Sequence, residues 1–171
     1  MWRLLLLLLL TFCATGTWGD GFPMICRVES IYDGDTMTVI CNREQHRVRL
    51  HCIDAPEMSQ TPWGRISRDF LRSITPPVVA IIPKDTSRGH KDRFGRIVAD
   101  VITPNDQRRN IGLQMVRMGH AAVYGKYCNE ERFYWMEQVA RTAGAGHDGY
   151  GNAYDTAQRA AKWRNQGGRR R

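Results

Sequence analysis

With 171 residues, the chain is long enough for one domain with a buried core and too short for two of ordinary size. Lys and Arg number 25 against 17 Asp and Glu, a net charge of +8 that favours a polyanionic partner over a basic one. The longest apolar run, Leu4–Leu10, excludes a spanning helix there, which needs about 20 such residues.

That run belongs to a leader. Met1, Trp2 and Arg3 make a short positive start, Leu4–Leu10 follows unbroken, and "TFCATGTWGD" supplies small residues before a cleavage point. Residues 1–19 therefore read as a secretory signal peptide cut near Gly19, with Gly16 the other candidate. Cys13 in "LTFC" follows the bulky Phe12, where a lipoprotein would carry a small residue. The mature chain is expected to be soluble, monomeric, and secreted or periplasmic.

Loss of Arg3 leaves 24 basic against 17 acidic side chains, or +7. From Arg159 on there are Arg159, Lys162, Arg164, Arg169, Arg170 and Arg171 with no acid, so most of the excess sits at the end. Residues 20–150 are expected to form the domain and 151–171 a basic tail suited to a polyanion through counterion release. Cys26, Cys41, Cys52 and Cys128 remain after leader removal, an even number in an exported chain, which points to disulfides. Cys26 and Cys41 flank a turn almost symmetrically, as a cross-strand bridge requires, and Cys52 with Cys128 is the remainder. A zinc site with His46 and His51 fits no common ligand spacing.

In chain order, Met24–Tyr32 and Thr36–Cys41 read as a hairpin about Asp33-Gly34-Asp35. His46–Ile53 alternates, with Val48, Leu50 and Cys52 on one face and Arg47, Arg49, His51 and Ile53 on the other. Ser59 opens a helical stretch with Trp63, Ile66, Phe70 and Ile74 on its core face and Arg65, Arg68 and Arg72 outward. Val78–Ile82 and Phe94–Ile102 read as strands separated by the polar loop "PKDTSRGHKD". Asn110–Met118 predicts a helix stopped by Gly119, and Asn129 the cap of a third helix with Glu130 and Glu131 in its first turn. After Ala143 comes the loop "GAGHDGYGN", then "AYDTAQRAAKW" as a short last helix. Five strands in mostly hairpin order with about three helices predict an α+β chain built on a small OB-type barrel.

The acids and arginines concentrate in three places. The first turn carries Asp33 and Asp35, "RVRLHCIDAPE" carries Arg49, Asp54 and Glu57, and "KDRFGRIVADV" carries Arg93 and Arg96. Carboxylates suit calcium, and paired guanidinium forks suit a phosphodiester. An EF-hand is excluded, because the glycine that its loop needs at the sixth position is missing after Asp33, where Thr38 stands. On a straight strand Arg49 and Asp54 stand about 16 Å apart, so one site for both requires a sharp bend.

In order and spacing "DGDT", "RLHCIDAPE" and "DRFGR" resemble the three blocks of the staphylococcal nuclease family, from about Met24 to Arg141. The resemblance implies an OB-fold, calcium-dependent nuclease acting on DNA and RNA with little sequence preference and leaving 3′-phosphate ends. It implies Asp35 and Asp54 as calcium ligands with the carbonyl of Ala55, Glu57 on the attacking water, and Arg49 and Arg96 on the scissile phosphate. Asp33 is then a shaper of the turn. Further on, "GHAAVYGKYCNEE" resembles the segment that brings tyrosines to substrate, making Tyr124, Lys126 and Tyr127 candidates for phosphate or base contact, and Arg93 is a further substrate-binding candidate. Three departures stand out: Phe94 replaces a tyrosine, Arg93 replaces a lysine, and the Gly-Leu-Trp ending is absent. The other readings are a noncatalytic nucleic-acid-binding OB module and an exported disulfide-rich structural protein.

Overall fold

The structure, a computed structural model, describes residues 23–84, 87–105 and 107–145, without the side chains of residues 87 and 88. The leader, the basic tail and the expected last helix lie outside the described residues. The strands are β1 (Met24–Ile31), β2 (Thr36–Cys41), β3 (Glu44–Leu50), β4 (Ile53–Asp54), β5 (Val78–Pro83), β6 (Ser87–His90), β7 (Ile97–Ile102) and β8 (Ala122–Val123). The helices are α1 (Trp63–Ile74), α2 (Ile111–Arg117) and α3 (Glu131–Thr142). None of them is long and apolar enough to cross a membrane.

Five strands close into a barrel in the order β1-β2-β3-β7-β5, with β3 and β7 parallel and the other pairs antiparallel. This is the expected OB-type fold, and its interior follows the two-residue period of the strands. Met37, Val39, Val48, Leu50, Val79, Ile81, Ile97, Ala99 and Val101 are all buried. In β1 the inward positions Cys26 and Val28 give way to Ile31, a change of parity. A bulge between Val28 and Ser30 supplies the extra residue that causes it. The β2–β3 hairpin turns on Asn42 and Arg43, at φ 50° and 72°, the handedness that matches strand twist. Cys26–Cys41 bridges β1 and β2 with Cα atoms 4.5 Å apart, and Cys52–Cys128 is the second disulfide.

Several boundaries differ from those predicted. β3 stops at Leu50, and a turn at His51 and Cys52 precedes the separate strand β4, which pairs with β8. Because Cys52 has φ 67°, the alternation breaks and Ile53, expected outward, is buried. The helical stretch expected from Ser59 begins only at Trp63. Its buried line is Gly64, Ser67 and Leu71, with Phe70 and Ile74 packed on the flank, because the loop at Glu57 and Met58 presses on Gly64 and the turn at Gly34 on Ser67. The loop expected over "PKDTSRGHKD" contains β6, and β7 starts at Ile97 rather than Phe94 because Asp92 to Arg96 is spent on a turn. Asn110 caps α2 as expected, accepting the amide of Leu113 at 2.9 Å. Asn129 does not cap α3: Glu130 stands at that position without a side-chain cap, because its carboxylate is engaged with Lys84 and Arg132.

Candidate active site

The site begins with the failure of a strand to continue. The peptide N–H of Leu50 donates to the carbonyl of Asp35 at 2.9 Å, and that of His51 to Ala99 at 2.9 Å. The left-handed residue Cys52 then reverses the chain, and its carbonyl accepts the amide of Tyr124 at 2.8 Å. Asp54 is thereby carried back to Arg49. Arg49 Nη1 lies 3.0 Å from Asp35 Oδ2 and Nη2 lies 3.3 Å from Asp54 Oδ1. One guanidinium thus joins carboxylates from two separate sequence blocks, both nearly buried at 7% and 6% exposure.

Asp35 is fixed from both sides. Its Oδ2 accepts the backbone N–H of Ala55 at 2.9 Å, and its Oδ1 accepts the hydroxyl of Thr36 at 3.1 Å. Asp33 does shape the turn: its Oδ1 accepts the amide of Asp35 at 3.1 Å. Burial, and then the charge of Asp35, push the Asp33 carboxyl up to about 6. The turn lies flat against α1 because Gly34 has no side chain. A Cβ there would stand 2.0 Å from Ser67 Oγ and 2.6 Å from Ala55 Cβ.

Arg96 reaches the same cluster from the other wall, with Nη1 donating to Thr36 Oγ1 at 3.2 Å. It is oriented by Asp92, whose Oδ2 accepts Nε at 2.8 Å and lies 2.7 Å from Nη2. Asp92 also builds the turn, since its Oδ1 accepts the amides of Phe94 at 2.9 Å and Arg96 at 3.0 Å. Burial tends to raise the Asp92 carboxyl, but its hydrogen bonds from Arg96 outweigh this and lower it. Thr36 and Asp92 are the two participants that sequence reasoning passed over. Each stands inside a quoted block, and the Asp-x-x-Gly-Arg spacing of the turn was the available signal.

The contacts thus bring Asp35, Asp54, Ala55, Arg49 and Arg96 into one cluster. Glu57 is exposed on the loop before α1, its N–H donating to Gln60 Oε1 at 2.7 Å. That loop packs closely on α1, where a Cβ on Gly64 would meet the Glu57 carbonyl at 2.2 Å. Arg93 lies on the Asp92–Arg96 turn with its Cζ 4.6 Å from the centre of the Phe94 ring. Tyr124 and Tyr127 meet edge to face at 5.1 Å, and Lys126 Nζ lies 5.3 Å from the Tyr127 ring. Their loop is anchored to the Cys52 turn by the Tyr124 amide and by the Cys52–Cys128 disulfide.

Behind that disulfide lies a charged network with no counterpart in the sequence reading. Asp100, 5% exposed, has Lys84 Nζ and Arg132 Nη2 each 3.0 Å from its Oδ2, and His51 Nδ1 3.6 Å from its Oδ1. Burial opposes ionisation of Asp100, but its His51 and Lys84 partners hold it far below the ordinary carboxylate range. Glu130 bonds Lys84 at 2.9 Å and pins the start of α3 to the end of β5. His51, Cys52 and Glu130 cluster as metal ligands do, but Cys52 is disulfide-bonded and Glu130 already holds two cations, so they offer no zinc site.

The donor set at Asp35 and Asp54 is different: two nearly buried carboxylates and a hydroxyl, all hard oxygens, share a single cluster. These residues fit calcium by their chemistry. Buried acids beside two oriented guanidinium groups on an OB barrel define a class of protein that handles phosphodiesters. The comparisons agree. A family model described as staphylococcal nuclease homologue matches residues 47–147. An uncharacterized endonuclease of Escherichia coli is 35% identical over 125 residues, covering 70% of this chain and 77% of the relative. An uncharacterized endonuclease of Haemophilus influenzae is 33% identical over 144 residues, covering 82% and 73%. A micrococcal nuclease of Shigella flexneri is 34% identical over 156 residues, covering 86% and 82%. The chain belongs to the staphylococcal nuclease family, and its substrate is nucleic acid.

Proposed function

We propose that the chain is an exported, calcium-dependent endonuclease that hydrolyses DNA and RNA with little sequence preference and leaves 3′-phosphate ends. The observation that carries this reading is Arg49 held between Asp35 and Asp54 at 3.0 and 3.3 Å, with Arg96 joined to the same cluster through Thr36. Asp35 and Asp54, with the carbonyl of Ala55, would hold calcium. When bound, that ion supplies charge neutralisation at a phosphate oxygen.

The remaining chemistry belongs to side chains. Arg49 and Arg96 present planar forks to the non-bridging oxygens and stabilise the charge that accumulates as phosphorus becomes five-coordinate. Asp35 and Asp54 hold Arg49 in place, and Asp92 keeps Arg96 aimed. Glu57, on its exposed loop, holds the attacking water in line and accepts its proton. The 5′ oxygen departs, and the phosphate stays on the 3′ side. Recognition through phosphate explains a broad substrate range, since phosphates carry no sequence information. Tyr124, Lys126, Tyr127 and Arg93 would contact the flanking strand. Two disulfides are compatible with an oxidising compartment, and export through residues 1–19 accounts for them.

The test is digestion of plasmid and single-stranded DNA by the oxidised chain, with calcium and with chelator in parallel, followed by end-group analysis. Cleavage that requires calcium and leaves 3′-phosphates is expected. Tight binding with no cleavage under either condition overturns the enzyme reading in favour of a binding module.

A further inference from the structure

The alternation that sends Val48 and Leu50 into the core leaves Arg47 and Arg49 on the outer face of β3, about 6.7 Å apart along the strand. The sheet register extends that face. On β2, Thr36 stands opposite Arg49 and Thr38 opposite Arg47, and on β1 Ser30 stands opposite Thr38. Tyr32 continues the ladder, its N–H donating to the Thr36 carbonyl at 3.4 Å, and its side chain is 70% exposed. On the other flank the register of β3 on β7, with Val48 opposite Ile97, sets Arg47 level with Arg96. Three arginines therefore share one face, and they are not equivalent. Arg49 is held by Asp35 and Asp54, and Arg96 by Asp92. Arg47 is exposed and makes no ion pair among the described residues. One row further on, Gln45 donates to the Glu29 carboxylate, and that acid ends the basic strip.

A cation with no acid to hold it, two strand residues from the proposed clamp, is spaced for the next phosphate of the same chain. Thr38 and Ser30 are small and leave room above β2 and β1, with Tyr32 at the edge of that floor. We propose that this face is a subsite for one further nucleotide of the substrate strand, with Arg47 on its phosphate and the Tyr32 ring against its base. This rests on the nuclease reading and adds to it a dependence on substrate length. Charge and continuity name the occupant: three arginines in a row match a polyanion, and the strip runs directly out of the proposed clamp. Glu29 limits the extension to one nucleotide.

The experiment compares kcat and KM on a dinucleotide, which carries only the scissile phosphate, and on a single-stranded decanucleotide. The proteins are the wild-type chain, Arg47→Gln, Arg47→Lys, Tyr32→Ala and Tyr32→Phe. Binding of the decanucleotide in chelator is titrated against salt alongside. On the decanucleotide, Arg47→Gln and Tyr32→Ala should each raise KM and weaken binding roughly tenfold with kcat little changed, and Arg47→Lys and Tyr32→Phe should restore most of the loss. Arg47→Gln should also lower the slope of log affinity against log salt by about 0.7, the value of one phosphate contact on a single strand. Neither loss should appear on the dinucleotide. Equal losses on the two substrates, or none on the longer one, overturn the subsite while leaving the nuclease standing. A wild-type chain that cleaves neither substrate removes the nuclease reading, and binding in chelator then decides the subsite alone. Both side chains are exposed, so loss of fold is not expected, and circular dichroism checks it.

Discussion

Arg49 and Asp54 are five residues apart in sequence and meet with Nη2 3.3 Å from Oδ1, because the turn at Cys52 folds the chain back between them. Asp35 completes the arrangement from β2's leading turn, 3.0 Å from Nη1. Replacing Arg49 by Lys keeps the charge and loses the fork. Initial-rate assays with calcium should show kcat reduced roughly a hundredfold or more, with the unfolding midpoint shifted little. A mild effect would remove Arg49 from the phosphate clamp.

Gly34 should tolerate no side chain. With Ser67 Oγ 2.0 Å and Ala55 Cβ 2.6 Å from where its Cβ would lie, Gly34→Ala must push the Asp33–Asp35 turn away from α1. A loss of about 1–3 kcal/mol in urea unfolding is expected, together with a fall in activity as Asp35 leaves its partners. Wild-type stability in the variant would mean that the turn moves freely, contrary to its packing here.

Acid should unfold the chain through the network behind the Cys52–Cys128 disulfide. Asp100 and Glu130 both titrate below their ordinary values, 3.8 and 4.5, so their stabilisation is complete above those values and disappears as the pH falls below them. Lys84 is raised above 10.5, so its contribution is complete below that value and is lost only as the pH rises beyond it. Asp33 runs the other way. Raised from 3.8 to about 6, it favours the folded state most at low pH, and that advantage drains away as the pH climbs through this interval. Urea midpoints from pH 2 to 8 should therefore show Asp100→Asn flattening the acid limb and Asp33→Asn removing the opposing slope. An unchanged acid limb in Asp100→Asn would deny the network its role.

The two disulfides should differ in value. Cys26 and Cys41 are 15 residues apart, whereas Cys52 and Cys128 are 76 apart. Chain-entropy reasoning gives about 3 and about 4 kcal/mol for the two closures. Paired Cys→Ser variants, compared by chemical denaturation, should rank in that order. Only the Cys52 and Cys128 pair should also cost activity, because it links the Asp54 segment to the Tyr124 loop.

The barrel was legible because its strands keep their apolar period: Val48, Leu50, Ile97, Ala99 and Val101 are inward both in pattern and in space. What defeated the pattern was single-residue geometry. A left-handed Cys52 cannot be read from composition, and it moved Ile53 from the outer face to the core. Nor could α1 reveal that its inner line would be Gly64, Ser67 and Leu71, since the need for small side chains comes from the turn packed against it. Arg49, Asp35 and Asp54 were found as members of blocks. The network of Asp100, Lys84, His51 and Arg132 was missed because its charges come from distant segments with no shared spacing, and each alone resembles a solvated residue.

The Cys52–Cys128 bond also makes the molecule a covalent ring with two appended ends. α1, α2 and every strand from β4 to β8 lie within that ring. A protease that cuts once after the exposed Lys91 or Arg93 opens the ring without dividing the molecule. The nicked chain keeps its full mass until a reductant is added, and its halves remain paired through β3 against β7 and β5 against β7. Apparent resistance to digestion on a non-reducing gel therefore measures the bond, whereas resistance on a reducing gel measures the fold.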